Sequence, residues 1–322
     1  MTDPTTTGVS VGTHAPSRPG REAGPDLTSA PSGGLPSEQR EAGLAADAWR
    51  QLRRKPNFVI STVFILIVTS MAVVPSLWTS KDPLACTVSG GLSRNPPSAE
   101  HWFGTSILGC DYYAQAIYGA RTSMLIALVA TIGITVVGGT IGMLAGFFGG
   151  WTDTILSRAT DIFLGLPFLL GAIVFLTILK NRNEWTLAAA LIALGWTVIA
   201  RIMRASVLSS KHLDYVQAAR ALGAGRRRLI ARHILPNAVA PVVVYGTIAL
   251  GAFVSAEATL TFLGVGLQPP AVSWGVMIDQ HDGYYHEDPW LLAFPVAFVV
   301  GTVLSFVLVG DALRDALDPK LR

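Results

Sequence analysis

The chain has 322 residues, of which 51% are hydrophobic and 14% are charged, with a formal net charge of +3. A soluble domain usually carries roughly 25% charged residues, so this composition excludes an ordinary soluble protein and predicts one that places its apolar residues in lipid. The small net charge gives no sign of a nucleic-acid partner.

Residues 1–48 differ from the rest of the chain because they are rich in Pro, Gly, Ser and Thr. They contain no apolar run that would offset the entropy of ordering, so we expect a disordered cytoplasmic tail. No short apolar core behind a basic start precedes Leu44, as a cleavable signal would require. The first hydrophobic stretch is therefore expected to be retained as a membrane anchor, and residues 49–322 are expected to form the transmembrane domain.

Six apolar stretches are long enough to cross a bilayer as helices, which takes roughly 20 residues. They run over residues 57–78, 123–147, 161–179, 186–207, 239–263 and 290–309. The segments between them should include an external loop at about 79–122, a cytoplasmic loop at about 208–236 and an external loop at about 264–289. The predicted fold class is an all-α integral membrane protein with six transmembrane helices.

Basic residues predict the orientation of the chain, because loops rich in Lys and Arg stay in the cytoplasm. One group precedes the first stretch and a larger group follows the fourth: Arg50, Arg53, Arg54 and Lys55, then Arg201, Arg204, Lys211, Arg220, Arg226, Arg227, Arg228 and Arg232. The loop at 264–289 contains no Lys or Arg. Both termini are therefore expected in the cytoplasm.

Four glycines recur every fourth residue at the end of the second stretch: Gly138, Gly142, Gly146 and Gly150. At this spacing they fall on nearly one helical face, and small residues there let a second helix approach the backbone closely. We interpret the stripe as a helix-packing surface with no chemistry of its own.

Motifs for nucleotide binding and hydrolysis are absent from the sequence. There is no GxxxxGK followed by Ser or Thr, no HExxH, no GxSxG and no Cys/His spacing typical of zinc. We therefore expect no catalytic residue, no cofactor and no metal in this chain, and any ATP should be bound by a partner.

Two acids lie within or beside the predicted spans. A charged group at membrane depth costs about 2.5–3.5 kcal/mol on insertion scales, so Glu257, late in the fifth span, is a candidate for a pathway residue or for pairing with a neighbouring helix. An ion-coupled carrier could use it as a proton relay, but such carriers usually have several such groups. Asp161 is interpreted as the start of the third span, where a carboxylate suits the positive end of the helix dipole.

The predicted cytoplasmic loop contains the most informative stretch, DYVQAARALGAGRRRLIARHILPN at residues 214–237. Gly223 falls between two short helical runs, where a positive φ can end the first helix. Pro236 suits the start of the fifth span, where its missing N–H costs little. The predicted shape is a helix, a corner and a second helix across the cytoplasmic surface.

The first of those helical runs has a defined apolar face, because Val216, Ala219 and Leu222 are spaced to share it. Small side chains at Ala218 and Ala219 would let the backbone sit in a groove on a partner, and the flanking membrane helices would carry any displacement inward. The alternative is that the arginines of the second run only bind the loop to anionic lipid; they are Arg226, Arg227 and Arg228.

The loop resembles that of the permease subunits of bacterial ABC importers, whose shared signature is Glu-Ala-Ala, a Gly four residues after the second Ala, and a later Leu-Pro. Those places are held by Gln217, Ala218, Ala219, Gly223, Leu235 and Pro236. The resemblance implies that these six residues contact an ATPase. Gln217 stands at the Glu position and keeps its size without its charge, so a salt bridge expected there becomes a neutral contact.

Three further blocks narrow the resemblance to the C-type permease of the dipeptide, oligopeptide and nickel group. They are HWFGTSILGCDYYAQAIYGARTSM from His101, ATLTFLGVGLQPPAVSWGVMI from Ala258 and GDALRDALDPKLR at the end. The resemblance implies an importer permease with cytoplasmic coupling helices in a bacterial cytoplasmic membrane. It also implies partners: a homologous second permease, two cytoplasmic ATPase subunits that bind ATP and Mg, and an extracytoplasmic solute-binding protein.

The first of those blocks contains Cys110 where the family usually has Arg. The only other cysteine, Cys86, lies in the same predicted external loop. Disulfides persist outside the cytoplasm, so we hypothesise a Cys86–Cys110 disulfide, with two free thiols as the alternative.

The last predicted external loop contains a cluster of polar residues: His281, Asp282, His286, Glu287 and Asp288. They could bind a metal, but no tetrahedral ligand set has the right spacing. We interpret the loop instead as a docking surface for the solute-binding protein.

These features together predict a permease that forms half of the translocation pathway of an ATP-driven importer for di- or oligopeptides. It should contact membrane lipid and peptide, and no nucleic acid. The alternatives are an importer permease for nickel or another small solute, an ion-coupled carrier that uses Glu257, and a scaffolding membrane protein.

Overall fold

The computed structural model describes residues 52–87, 92–179 and 181–317, and the regular elements in these ranges are helical. The main helices are α1 (Pro56–Val73), α2 (Tyr112–Phe148), α3 (Gly150–Leu164), α4 (Phe168–Ile178), α5 (Glu184–Ser210), α6 (Asp214–Ala221), α7 (Ala240–Phe262), α8 (Trp274–His281) and α9 (Trp290–Leu317). Short 3₁₀ turns lie at Pro75–Leu77 and Asp282–Tyr284. The tail predicted at residues 1–48 lies outside the described residues.

Within the described residues, five helices are long and apolar enough to cross a membrane, namely α1, α2, α5, α7 and α9. The bent pair of α3 and α4 connects the end of α2 with the start of α5, so it makes a sixth passage, in agreement with the six predicted spans. Contacts between the connecting segments define two faces. On the hairpin face, which carries residues 211–239, Lys211 Nζ donates to the carbonyl of Gly146 at 2.8 Å. The opposite face carries the bond between Cys86 and Cys110 and is called the disulfide face; there Arg182 donates to the carbonyl of Gly264 at 2.7 Å.

The third apolar stretch is not one straight helix, contrary to the prediction for residues 161–179. The axes of α3 and α4 meet at 86°. Pro167 stands between them with φ −59° and ψ 121°, and the residue before a proline is biased away from helical conformation, so α3 ends there. Asp161 therefore lies near the end of α3, and the prediction that it starts a helix is wrong. Its carboxylate accepts a hydrogen bond from Arg201 of α5 at 2.6 Å.

Helix α2 is 37 residues long and begins well before the span predicted from residue 123. Asp111 caps its first turn, because the side chain accepts the backbone N–H of Ala114 at 2.8 Å. The added turns bury Tyr112 and Ile117 on the disulfide face. The helix therefore reaches beyond the predicted apolar stretch, to the region where the loops of that face meet.

The glycine stripe packs α2 against α5, as predicted. A Cβ at Gly142 would lie 2.9 Å from Met203 Cβ, and one at Gly146 would lie 2.9 Å from Val207 Cβ, so neither position has room for a side chain. Gly150 does not take part, because α2 has already ended there: its φ is 53° and nothing lies within 4 Å of its Cβ position. Its assignment to the stripe is therefore wrong.

A buried helix, α8, lies inside the segment predicted as the external loop at 264–289. Ser273 caps it by accepting the N–H of Val276 at 3.1 Å. Trp274 and Met277 are buried, and Trp274 Nε1 donates to the carbonyl of Ala116 in α2 at 3.0 Å. Helix α8 contacts α2, α7 and α9, so it closes the bundle at the disulfide face.

Candidate functional site

The segment 211–239 joins α5 to α7 as two helical arms, and we call it the hairpin. Its first arm is α6. Gly223 follows α6 with φ 83°, a conformation that glycine adopts without steric cost, and its N–H donates to the carbonyl of Arg220 at 3.0 Å. The positive φ predicted at this corner is confirmed.

The second arm is irregular. It consists of an α-helical turn at Arg226–Arg228, a π-helical segment at Leu229–Ile234 and a further α-helical turn at Leu235–Ala238. Pro236 lies in that last turn, whereas α7 begins beyond it and has Pro241 in its own first turn. The prediction that Pro236 starts the fifth span is therefore wrong by one short turn.

Hydrogen bonds hold the two arms together. Asn237 Nδ2 donates to the hydroxyl of Tyr215 at 2.7 Å and to the carbonyl of His233 at 2.8 Å. The hydroxyl of Tyr215 donates to the same carbonyl at 3.3 Å. Val216 from the first arm and Ile234 from the second are fully buried, so both arms are also anchored in the bundle.

The six residues that the resemblance assigns to an ATPase contact all lie in the hairpin. Five of them are exposed and one is half-buried: Gln217, Ala218, Gly223, Leu235 and Pro236 are exposed, and Ala219 is half-buried. Leu222 beside them is 89% exposed. It does not share a face with the buried Val216 as predicted, because Leu222 already belongs to the turn that ends α6. The hairpin thus presents to its surroundings both small side chains and large apolar ones, of which Leu213, Leu222 and Leu235 are exposed.

Gln217 has a local role that its sequence position did not reveal. Its Nε2 donates to the carbonyl of Lys211 at 3.0 Å, and Lys211 in turn bonds Gly146 at the end of α2. Glutamate has no N–H to give. The amide at this position therefore ties the first arm to the end of α5.

Basic side chains surround the exposed tip of the hairpin. They are Arg220, Arg226, Arg227, Arg228 and Arg232, and all five are exposed. The guanidinium of Arg226 lies 6.0 Å from the ring centroid of Phe148, at the end of α2. The tip is therefore a positively charged surface that suits an acidic partner.

Two ion pairs join α3 to α5. Arg204 donates to both oxygens of Asp153, with Nη2 to Oδ2 at 2.6 Å, and Arg201 donates to Asp161. Sequence reasoning used the two arginines only for orientation and did not find these pairs. No local signal marks them, since their partners lie 40 to 51 residues away along the chain.

On the disulfide face, Cys86 and Cys110 form a disulfide, the pairing hypothesised from the sequence. Next to it, the carboxylate of Asp111 accepts from Lys81 Nζ at 2.7 Å and lies 2.8 Å from His101 Nδ1. Burial of Asp111 opposes its ionisation, but the hydrogen bonds from Lys81, a backbone N–H and His101 outweigh it and hold the pKa of Asp111 below its ordinary value.

The polar residues of the last loop do not act together. Arg94 Nη1 donates to Glu287 at 2.7 Å and to Asp288 at 2.9 Å, which joins the first disulfide-face loop to the last. His281 is buried, with Nδ1 2.7 Å from the carbonyl of Met277, and burial lowers its pKa. Within the described ranges, no three His, Cys, Asp or Glu side chains converge as metal ligands would.

Glu257 is fully buried where α2, α7 and α8 meet. Its carboxyl group accepts hydrogen bonds from three hydroxyls: Ser123 at 2.8 Å, Ser273 at 2.9 Å and Thr261 at 3.2 Å. These partners belong to α2, to the cap of α8 and to α7 itself. The arrangement is of the helix-pairing kind, one of the two roles considered for this acid.

Two sequence families match the chain. The family described as binding-protein-dependent transport system inner membrane component matches residues 138–322. The N-terminal TM domain of oligopeptide transport permease C matches residues 43–96.

Curated relatives align with most of the chain. The dipeptide transport system permease protein of Alkalihalophilus pseudofirmus is 35% identical over 301 residues, which is 93% of this chain and 98% of the relative. The oligopeptide transport system permease protein of Bacillus subtilis is 36% identical over 289 residues, 88% of this chain and 92% of the relative. Among solved structures, the MetNI methionine ABC transporter in an inward-facing conformation aligns with a TM-score of 0.50 at 19% identity, covering 63% of this chain and 97% of that one. At that identity the likeness concerns the fold alone.

Proposed function

The chain belongs to the family of binding-protein-dependent transport system inner membrane components, and on that premise we propose that it forms half of the translocation pathway of an ATP-driven importer for di- or oligopeptides. The relatives named as dipeptide and oligopeptide permeases support peptide as the solute. A homologous second permease supplies the other half, and two ATPase subunits bind ATP and Mg. An extracytoplasmic solute-binding protein delivers the peptide, and the chain itself catalyses no reaction.

The hairpin is the proposed ATPase contact, and its exposure is the observation that carries the proposal. Leu222 is 89% exposed at the corner, beside small exposed residues that let a partner surface approach the backbone. Several exposed leucines lie in the same segment as exposed arginines, namely Leu213, Leu222 and Leu235, and apolar surface rimmed by polar residues marks an interaction site. A loop that only rested on lipid headgroups would not require the turn at Gly223, whose φ of 83° sets the angle between the two arms.

The hairpin can pass a displacement to the bundle, because each of its arms leads directly into a long membrane helix. Gln217 and Lys211 tie the first arm to the ends of α5 and α2. The second arm is followed by α7 after a single residue. Movement of an ATPase against the corner would therefore move α5 and α7 together.

The hairpin face is proposed to be cytoplasmic, with both termini on that side, in a bacterial cytoplasmic membrane. This face carries Lys55 and the arginines of the hairpin, and basic residues beside membrane helices favour the cytoplasmic side. The disulfide face would then be extracytoplasmic, where the bond between Cys86 and Cys110 is stable.

Substitution of Gly223 by Leu tests the coupling. An L-residue in the left-handed region costs about 1–2 kcal/mol, and the backbone relaxes by changing the angle between the arms. Nothing lies within 4 Å of the Cβ position, so the membrane bundle is undisturbed. With the whole importer in proteoliposomes, we expect ATP hydrolysis to continue while uptake of labelled peptide is lost.

The matched control is Gly225→Leu, since Gly225 has φ −66° and equally open surroundings. This variant should keep peptide uptake. Normal uptake by Gly223→Leu, at normal levels in the membrane, would count against the hairpin as the ATPase contact.

A further inference from the structure

In the hydrogen bonds around Glu257, every donor is a hydroxyl and every acceptor is an oxygen of the Glu257 carboxyl group. Each hydroxyl that donates to its carboxyl group also accepts a backbone N–H. Ser123 accepts from Trp274 at 3.3 Å, Ser273 accepts from Val276 at 3.1 Å, and Thr261 accepts from Leu267 at 3.3 Å. Each hydroxyl has one proton to donate and accepts the backbone N–H through a lone pair. Its proton is therefore donated to the Glu257 carboxyl group.

Two of the three hydroxyls connect Glu257 with the backbone of α8 through a series of two hydrogen bonds. The N–H groups of Trp274 and Val276 belong to its first turn, which needs outside acceptors as every helix start does. Glu257 thus fixes the start of α8 through Ser123 of α2 and through Ser273. The third hydroxyl, of Thr261, accepts the N–H of Leu267, in the segment that leads from α7 to α8. One carboxyl group is therefore connected by hydrogen bonds both to the first turn of α8 and to the segment before it.

Helix α8 packs so closely against its neighbours that two glycines at the contact have no room for a side chain. A Cβ at Gly275 would lie 2.9 Å from Ala258 Cα and 3.0 Å from Glu257 Oε1. A Cβ at Gly119 of α2 would lie 3.3 Å from the backbone N of Trp274. The backbone of α8 therefore lies directly on α2 and α7, with the carboxyl group between them.

Helix α7 connects this network with the hairpin. It runs without a break for 23 residues, about 34 Å at 1.5 Å per residue, and Glu257 lies in its last turns. The hairpin precedes its first turn. The same helix thus carries the hairpin at one end and α8 at the other.

We propose that Glu257 is a positioning residue that makes α8 move as one body with α2 and α7. It thereby transmits movement between the hairpin and the disulfide face. The inference rests on the proposed function, because it assumes that the ATPases act at the hairpin and the solute-binding protein at the disulfide face. It assigns Glu257 a mechanical role: no proton and no solute passes through it.

Glu257→Gln is the main test variant. Glutamine keeps the shape, but half of its amide group is an N–H donor that faces hydroxyls whose protons already point toward it. Thr261→Val is the second variant, because it removes one donor with little change of shape and gives an answer if the first variant does not assemble. The matched control is Thr259→Val: Thr259 also lies in α7, but its hydroxyl donates to the carbonyl of Ser255 in the same helix, at 2.8 Å.

The readout is ATP hydrolysis by the whole importer in lipid nanodiscs, with and without peptide-loaded solute-binding protein. We expect hydrolysis without the binding protein to stay within about 2-fold of wild type, and stimulation by the binding protein to fall on the order of 5-fold or more in Glu257→Gln, the lower end of common coupling effects. Thr261→Val should lose part of the stimulation, and Thr259→Val none.

Hydrogen exchange gives a second readout that does not depend on the ATPases. In Glu257→Gln, amides of 274–281 should exchange at least about 10-fold faster, while those of the first half of α7 keep their rates. Unchanged stimulation together with unchanged exchange in assembled Glu257→Gln or Thr261→Val would overturn the inference. Failure of wild-type chain to copurify with ATPases would instead contradict the proposed function.

Discussion

Gly142 offers a direct test of how α2 and α5 pack, because Gly139 one turn earlier provides a matched control. A Cβ at Gly142 would contact the carbonyl of Ala200 and lie 2.9 Å from Met203 Cβ, whereas a Cβ at Gly139 would lie 3.7 Å from the flexible end of Met203. Overpacking costs about 1–3 kcal/mol. The better helix propensity of Ala offsets up to about 1 kcal/mol at either site.

The propensity gain cancels when the two alanine variants are compared, so the difference between them reports the close approach alone. Gly142→Ala should be less stable than Gly139→Ala by about 1–3 kcal/mol. The assay is equilibrium unfolding of the purified chain in detergent, followed by circular dichroism. Equal stability of the two variants, or a more stable Gly142→Ala, would refute the close approach of α2 to α5 at Gly142.

Two further predictions concern the disulfide face. Cys86→Ser should lower the free energy of unfolding by about 3 kcal/mol, since the bond closes a loop of 24 residues; peptide mapping without reduction checks the bond, and recovery of both wild-type cysteines as alkylated thiols would contradict it. The pKa of Asp111 is depressed below its ordinary value of 3.8, so its ion pair stabilises the fold above that pH and the contribution is lost as the pH falls through the lower, folded-state pKa. Asp111→Asn should therefore be less stable at neutral pH and less sensitive to acid, and parallel acid-unfolding curves for variant and wild type would rule this out.

The sequence predicted the membrane helices because a crossing needs about 20 apolar residues whatever they pack against. Their ends and bends depend on local chemistry that is also readable. Pro167 marks the break between α3 and α4 through its effect on the preceding residue, and Asp111 is a good N-cap for the long start of α2. These details were missed because a hydropathy window averages over such single residues.

The hydrogen bonds of Glu257 could not be predicted from the sequence, because they depend on contacts between residues that are distant in the chain. Ser123 lies 134 residues from Glu257 in the chain, so no spacing rule connects them. The exposure of Leu222 has a different cause. Helical periodicity places Leu222 on the face of Val216, but the helix ends at Ala221, one residue earlier. Periodicity therefore no longer determines where the Leu222 side chain lies. The burial of α8 also depends on α2 and α7 being already in place.

The central claim is that the corner of the hairpin touches an ATPase, and a photocrosslinking side chain at Leu222 tests it most directly. In membranes that contain the whole importer, irradiation should give a product that joins this chain to an ATPase subunit. A product that joins this chain to the extracytoplasmic binding protein would contradict the account. The absence of any product from Leu222 would also contradict it, provided that a control probe at Val59 in α1 crosslinks to its surroundings.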